Sequence, residues 1–136
     1  MTIKITNAEL LNALVPGLQE LAGMKTSGKI AYNVGRTLKN CDIAVTAFND
    51  QKKVTLEAAA SKDKKTKEPV VEKGEYVFPS DKIKEETIAE LNGLLTAEID
   101  LDVYPITGDE FGALANVSAG LYLRLDKFVT DLAVVK

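Results

Sequence analysis

Val34, Leu38, Cys41, Val45 and Phe48 step along the chain by four and three residues. That heptad-like seam predicts one long helix from about Lys29 to about Ala60. The seam continues as Lys52, Thr55 and Ala59, so its apolar face fades, and the distal part of the helix is expected to project or to meet only a light partner.

Upstream, Ile3 and Ile5 alternate with Thr2 and Lys4, as in a half-buried strand. Thr6-Asn7-Ala8-Glu9 is a capping box, in which the Thr6 oxygen accepts the Glu9 amide while the Glu9 carboxylate reaches back to the Thr6 amide. Leu10, Leu11, Leu14, Leu18 and Leu21 then follow at helical spacing. Pro16 sits inside that pattern without an N–H, so a kink is expected there. The segment from Gly23 to Gly28 separates this first helix from the long one.

Downstream, residues 61–69 form a charged loop ending in Pro69. Val70-Val71 and Tyr76-Val77-Phe78 flank Gly74 as a hairpin would. A third helix starts at Ser80 or Asp81, with Ile88, Leu91 and Leu95 on one face. Residues 98–104 alternate strictly, and Pro105 ends that strand. Thr107-Gly108-Asp109-Glu110 is a second capping box opening a helix. Leu121, Leu125, Phe128 and Leu132 fit a helix, whereas Leu121, Leu123 and Leu125 also fit a strand; the helix is the reading adopted. The fold class expected is α+β. An N-terminal helical pair, one member long, packs with a small sheet and C-terminal helices, and residues 1–136 form a single domain.

Composition limits the chemistry. The chain has no histidine, no tryptophan and one cysteine, Cys41. The usual base near neutral pH, the commonest zinc ligand and every Ser-His or Cys-His pair are therefore missing, and no intramolecular disulfide can form. We expect no catalytic residues, no metal site and no cofactor. The net charge of −3 is unsuited to a general nucleic-acid surface. Residues 1–68 nevertheless carry 11 Lys/Arg against 7 Asp/Glu, whereas residues 69–136 carry 6 against 13. The bland account is two solvated surfaces. No run of about 18 apolar residues is present and the start does not read as a signal peptide, so a cytoplasmic location is expected.

Three constellations merit comparison with known chemistry. Gly23-Met24-Lys25-Thr26-Ser27-Gly28-Lys29-Ile30 matches a phosphate loop through the lysine, but Ile30 replaces the hydroxyl that would hold magnesium. The loop also follows a leucine-rich helix instead of a buried strand. What survives is an anion-binding candidate: Lys25, Ser27, Gly28 and Lys29 at a helix start. Glu98, Asp100 and Asp102 share one strand face about 6.8 Å apart, too far for adjacent members to clasp one hard cation whose oxygens sit about 2.3–2.6 Å away. Lys52, Lys53, Lys62, Lys64 and Lys65 form a basic cluster without arginine forks or aromatics, making them a candidate interaction surface and nucleic acid a poor partner.

The order of features resembles a family of small uncharacterised proteins of tailed bacteriophages. The resemblance rests on Thr6-Asn7-Ala8-Glu9-Leu10, the long charged helix, the lysine-rich turn from Lys62 to Pro69, the block from Glu90 to Leu101 and the amphipathic end from Leu121 to Val129. Pro16 and a less acidic long helix depart from the family pattern. The resemblance implies a phage product in the bacterial host cytoplasm and no particular activity. Beside the residues themselves, it makes a non-enzymatic accessory protein that binds a host protein, in a counter-defence or regulatory role, or another phage protein the leading expectation. The alternatives are a small-ligand binder that sequesters an anionic nucleotide signal and a phage structural or assembly component. A homo-oligomer is compatible with each.

Overall fold

The computed structural model describes residues 1–115 and 117–130. Within them the fold is α+β, with the long helix in place. The elements run β1 (Thr2–Thr6), α1 (Asn7–Glu9), a π turn (Leu10–Leu14), α2 (Val15–Ala22), α3 (Gly28–Ala59), β2 (Val71–Glu72), β3 (Glu75–Tyr76), α4 (Asp81–Thr96), β4 (Glu98–Asp102), β5 (Ile106–Thr107), α5 (Gly108–Gly112), α6 (Ala119–Arg124) and β6 (Val129–Thr130). Among the described residues, no helix is long and apolar enough to cross a membrane. The contacts divide the chain into two units, residues 1–45 with those from Glu98 onward, and residues 46–97.

The first unit holds the core. Both capping boxes form: Thr6 Oγ1 accepts the Glu9 amide at 3.1 Å, and Thr107 Oγ1 accepts the Glu110 amide at 3.1 Å. The anticipated disturbance at Pro16 takes a specific shape. Proline offers no N–H, and its ring collides with the carbonyl four residues back, here that of Asn12. The chain widens ahead of it into the π turn, so that the Val15 amide bonds the carbonyl of Leu10, five residues back. The helical path thus continues through Pro16 into α2.

Leu10, Leu14, Leu18 and Leu21 are buried with Val34 and Cys41 of α3, Ile5 of β1, Leu101 of β4 and Phe111, Leu121, Leu125 and Phe128 further on. Gly17 of α2 packs against the end of α6: a Cβ there would lie 2.9 Å from Leu125 Cδ2 and 3.1 Å from Arg124 Cβ. The helix expected from Leu121 through Phe128 stops short, and the strand alternative over Leu121, Leu123 and Leu125 does not form. α6 ends at Arg124, Phe128 is buried, and Val129–Thr130 then pair in parallel with Ile106–Thr107. Leu132, assigned to a helix by spacing, lies outside the described residues.

β1 and β4 pair antiparallel, with Ile5 opposite Ile99 and Ile3 opposite Leu101. The opposite face sets Lys4 against Asp100, at 3.4 Å, and Thr2 against Asp102, which the Met1 amine approaches at 3.3 Å. The three carboxylates of β4 therefore form a solvated outer face. A two-stranded sheet has two open edges, which invite pairing with other chains. Lys127 Nζ bonds the Lys4 carbonyl on β1 at 3.1 Å while pairing with Glu9 at 2.9 Å, and Asn40 Nδ2 bonds the Asp102 carbonyl on β4 at 2.9 Å.

The second unit comprises the last part of α3, the β2–β3 hairpin and α4. The hairpin turns through Lys73 and Gly74, both at positive φ, and Gly74 meets that demand without steric cost. Ser80 caps α4 by accepting the Ile83 amide at 3.2 Å. The buried side of α4 centres on Thr87, with Ile83, Leu91 and Leu95 half-buried, whereas Ile88 is exposed. Ile83, Thr87, Leu91 and Leu95 are spaced by four, a tighter stripe than one including Ile88. Phe48 and Ala60 are the buried apolar side chains described in this unit, consistent with the fading seam.

Candidate functional site

The first half of α3 positions the most distinctive surface of the molecule. Asn33, Thr37 and Asn40 lie on one flank of the helix, spaced by four and three. They hold the chain where β4 ends. Asn33 Nδ2 donates to the Pro105 carbonyl at 3.1 Å, Thr37 Oγ1 accepts the Tyr104 amide at 2.9 Å, and Asn40 Nδ2 donates to the Asp102 carbonyl. Pro105 prevents the strand from continuing, and the helix supplies the hydrogen bonds that a sheet neighbour would otherwise have given.

This clamp places Tyr104 beside Arg36. Arg36 Nη2 donates to the Tyr104 hydroxyl at 2.7 Å and Nη1 to the Tyr32 hydroxyl at 2.8 Å. The guanidinium carbon also lies 4.6 Å from the Tyr104 ring centre and 5.7 Å from that of Tyr32. The phenol oxygens stabilise the charged guanidinium and push its pKa above the usual arginine value, Tyr32 contributing most. Tyr32 is 59% exposed and Ile43, further along the helix, is 70% exposed. Tyrosine and arginine are, with tryptophan, the residue types enriched among those that carry binding energy at interfaces.

On the α2 side of α3 lies an open groove of about 500 Å³, walled by Val15, Leu38 and Val45, with Gly35 leaving space above the helix backbone. Cys41 belongs to this groove, but burial pushes its thiol up to about 11, so the reactive thiolate is scarce near neutral pH.

The anion candidate at the start of α3 does not gather into a cradle. Ser27 Oγ is spent as the helix cap, accepting the Ile30 amide at 3.3 Å. Lys29 Nζ lies 3.2 Å from Glu110 Oε2, so an internal carboxylate takes the charge a ligand would have used. Gly28 faces open space, and Lys25 is exposed. The Thr107 amide and then Lys29 hold the Glu110 carboxyl below its ordinary pKa.

The basic cluster belongs to the second unit and is partly neutralised there. Glu57 is its hub: Lys53 Nζ approaches its carboxylate at 3.8 Å, the Tyr76 hydroxyl donates to it at 3.2 Å, and Lys62 Nζ bonds its backbone carbonyl. Lys52, Lys64 and Lys65 are exposed. The loop itself is knit by Asp63, whose carboxylate accepts the Lys65 and Thr66 amides at 2.8 and 3.1 Å. Among the described residues, no group of three or more His, Cys, Asp or Glu side chains is placed to hold a metal ion.

Sequence reasoning missed the Tyr32–Arg36–Tyr104 trio. The available signal was an aromatic and an arginine four residues apart on the outer side of the long helix. The Tyr104 contribution, 68 residues away, carried none. In comparisons with family models, curated proteins and solved structures, nothing matches the chain.

Proposed function

We propose that this protein acts by binding another protein, and that the docking face is the outer surface of α3 around Tyr32, Arg36 and Ile43, completed by Tyr104. The observation that carries the reading is the braced arginine between two tyrosines, with a largely exposed isoleucine two turns further along the same helix. Such a surface offers desolvation at Ile43 and rigid polar anchoring at the trio, the combination that interface hot spots use. The absence of imidazole from the sequence and the raised Cys41 pKa favour a non-enzymatic role. On the bacteriophage resemblance, the partner is a host protein of the bacterial cytoplasm, and the role is counter-defence or regulation. The nucleotide-sequestering alternative is weakened by the pairing of Lys29 with Glu110.

The test is affinity capture from host lysate with three baits: wild type, Ile43→Asp and Tyr104→Ala. The expected result is a protein retained by wild type and lost by both variants, whose melting temperatures bracket that of wild type within a few degrees. Equal capture by all three baits would refute this docking face.

A further inference from the structure

Building on the docking face proposed above, we infer that the Tyr32–Arg36–Tyr104 trio receives a carboxylate from an acidic segment of the protein partner. Among the described residues, most other cations of the unit that contains Arg36 are paired with a carboxylate, the exposed Lys25 and Lys39 excepted. The Met1 amine meets Asp102, Lys4 meets Asp100, Lys29 meets Glu110, Lys127 meets Glu9, and Arg124 meets Glu20 at 2.6 Å. The chain has two arginines, and among the described residues Arg36 is the one with no carboxylate within ion-pair distance. It instead donates to two phenol oxygens.

That arrangement is rich in donors. A guanidinium has five N–H donors and no acceptor, and a phenol that accepts one hydrogen bond keeps its own O–H to donate. The trio therefore calls for an acceptor, and a carboxylate satisfies both the charge and the fork geometry. The ring contacts hold the arginine in place before the partner arrives, which lowers the ordering cost of binding. Asp102 lies two residues from Tyr104, and Asp42 adjoins Ile43 in sequence. These charges oppose a nucleic-acid backbone, which presents phosphates in series, more than a single acidic side chain next to an apolar one that Ile43 can seat.

The probes are a fluorescein-labelled peptide of leucines and glutamates, the same peptide with glutamine for glutamate, and a labelled short oligothymidylate. Binding is followed by anisotropy at low and at physiological salt. Wild type is expected to bind the acidic peptide and to lose about tenfold or more with the glutamine peptide. Arg36→Gln should lose about tenfold or more for the acidic peptide, Tyr104→Phe should lose severalfold because the ring stays while the hydroxyl goes, and Lys82→Gln, at an exposed position of α4, should bind as wild type does. Arg36→Lys keeps the charge without the fork, and supplies a second reading if Arg36→Gln melts early. No binding of the acidic peptide, equal binding of the two peptides, unchanged binding by Arg36→Gln or binding of the oligothymidylate alone would overturn the inference. If the captured partner is lost with Ile43→Asp but kept with Arg36→Gln, the docking face stands and the carboxylate falls. If neither variant alters capture, the face itself falls.

Discussion

Replacing Thr37 by valine isolates the bond that holds Tyr104, and with it the proposed docking face, against α3. Thr37 is 0% exposed, its hydroxyl donates to the Asn33 carbonyl at 2.8 Å, and the same oxygen accepts the Tyr104 amide at 2.9 Å. Valine keeps the branched shape, so little cavity opens. The Asn33 carbonyl loses little, because the helix still offers it the amide four residues on. The Tyr104 amide loses its acceptor altogether. An unsatisfied buried donor costs about 1–3 kcal/mol, and the partial burial here places the effect at about 1–2 kcal/mol. For a chain of this length that lowers the melting temperature by roughly 3–8 °C. Circular dichroism under heat and urea measures the loss, and hydrogen exchange locates it, since the Tyr104 amide should exchange about tenfold faster than in wild type. Wild-type stability together with an equally protected Tyr104 amide would show that Thr37 does not hold this segment.

Other substitutions read the packing and the electrostatics. Gly17→Ala should cost about 1–3 kcal/mol through collision with Leu125, whereas Gly35→Ala, whose Cβ meets open space, should gain about 0.5–1 kcal/mol; paired urea titrations decide both. Lys127 beside Glu9, and backbone amides beside Asp63 and Glu110, hold all three carboxyls below their ordinary pKa. Their contribution is complete above the unfolded value of about 4 and is lost as the pH falls through the lower folded values, so stability should be level near neutrality and decline below about pH 4. Cys41, buried and with its thiol raised to about 11, should react with a thiol reagent far more slowly in native protein than in urea-unfolded protein, as absorbance kinetics would record.

What could be read from the sequence was local. The two capping boxes, the Ser80 start of α4 and the alternation of β4 depend on residues within a few positions of one another, and each forms as its spacing predicts. The seam of α3 is buried at Val34, Cys41 and Phe48, and the fading beyond it matches a second unit with few buried apolar side chains. What could not be read was the outcome of competition between distant groups. Pro16 announces a disturbance, but whether the helix kinks or widens depends on where the Leu10 and Asn12 carbonyls find donors. Lys29 at a helix start suggests an anion until Glu110, 81 positions away in sequence, is seen to neutralise it. Two-residue strands such as β5 and β6 leave no periodic trace at all.

The central claim is that the exposed face of α3 meets another protein. Its most direct test is site-specific photo-cross-linking in cells of the bacterial host that the proposal implies, with a benzophenone amino acid at position 43 and, separately, at position 64. The account predicts one discrete adduct from position 43 and none from position 64. An adduct from position 64 alone would place the contact on the lysine loop and contradict it.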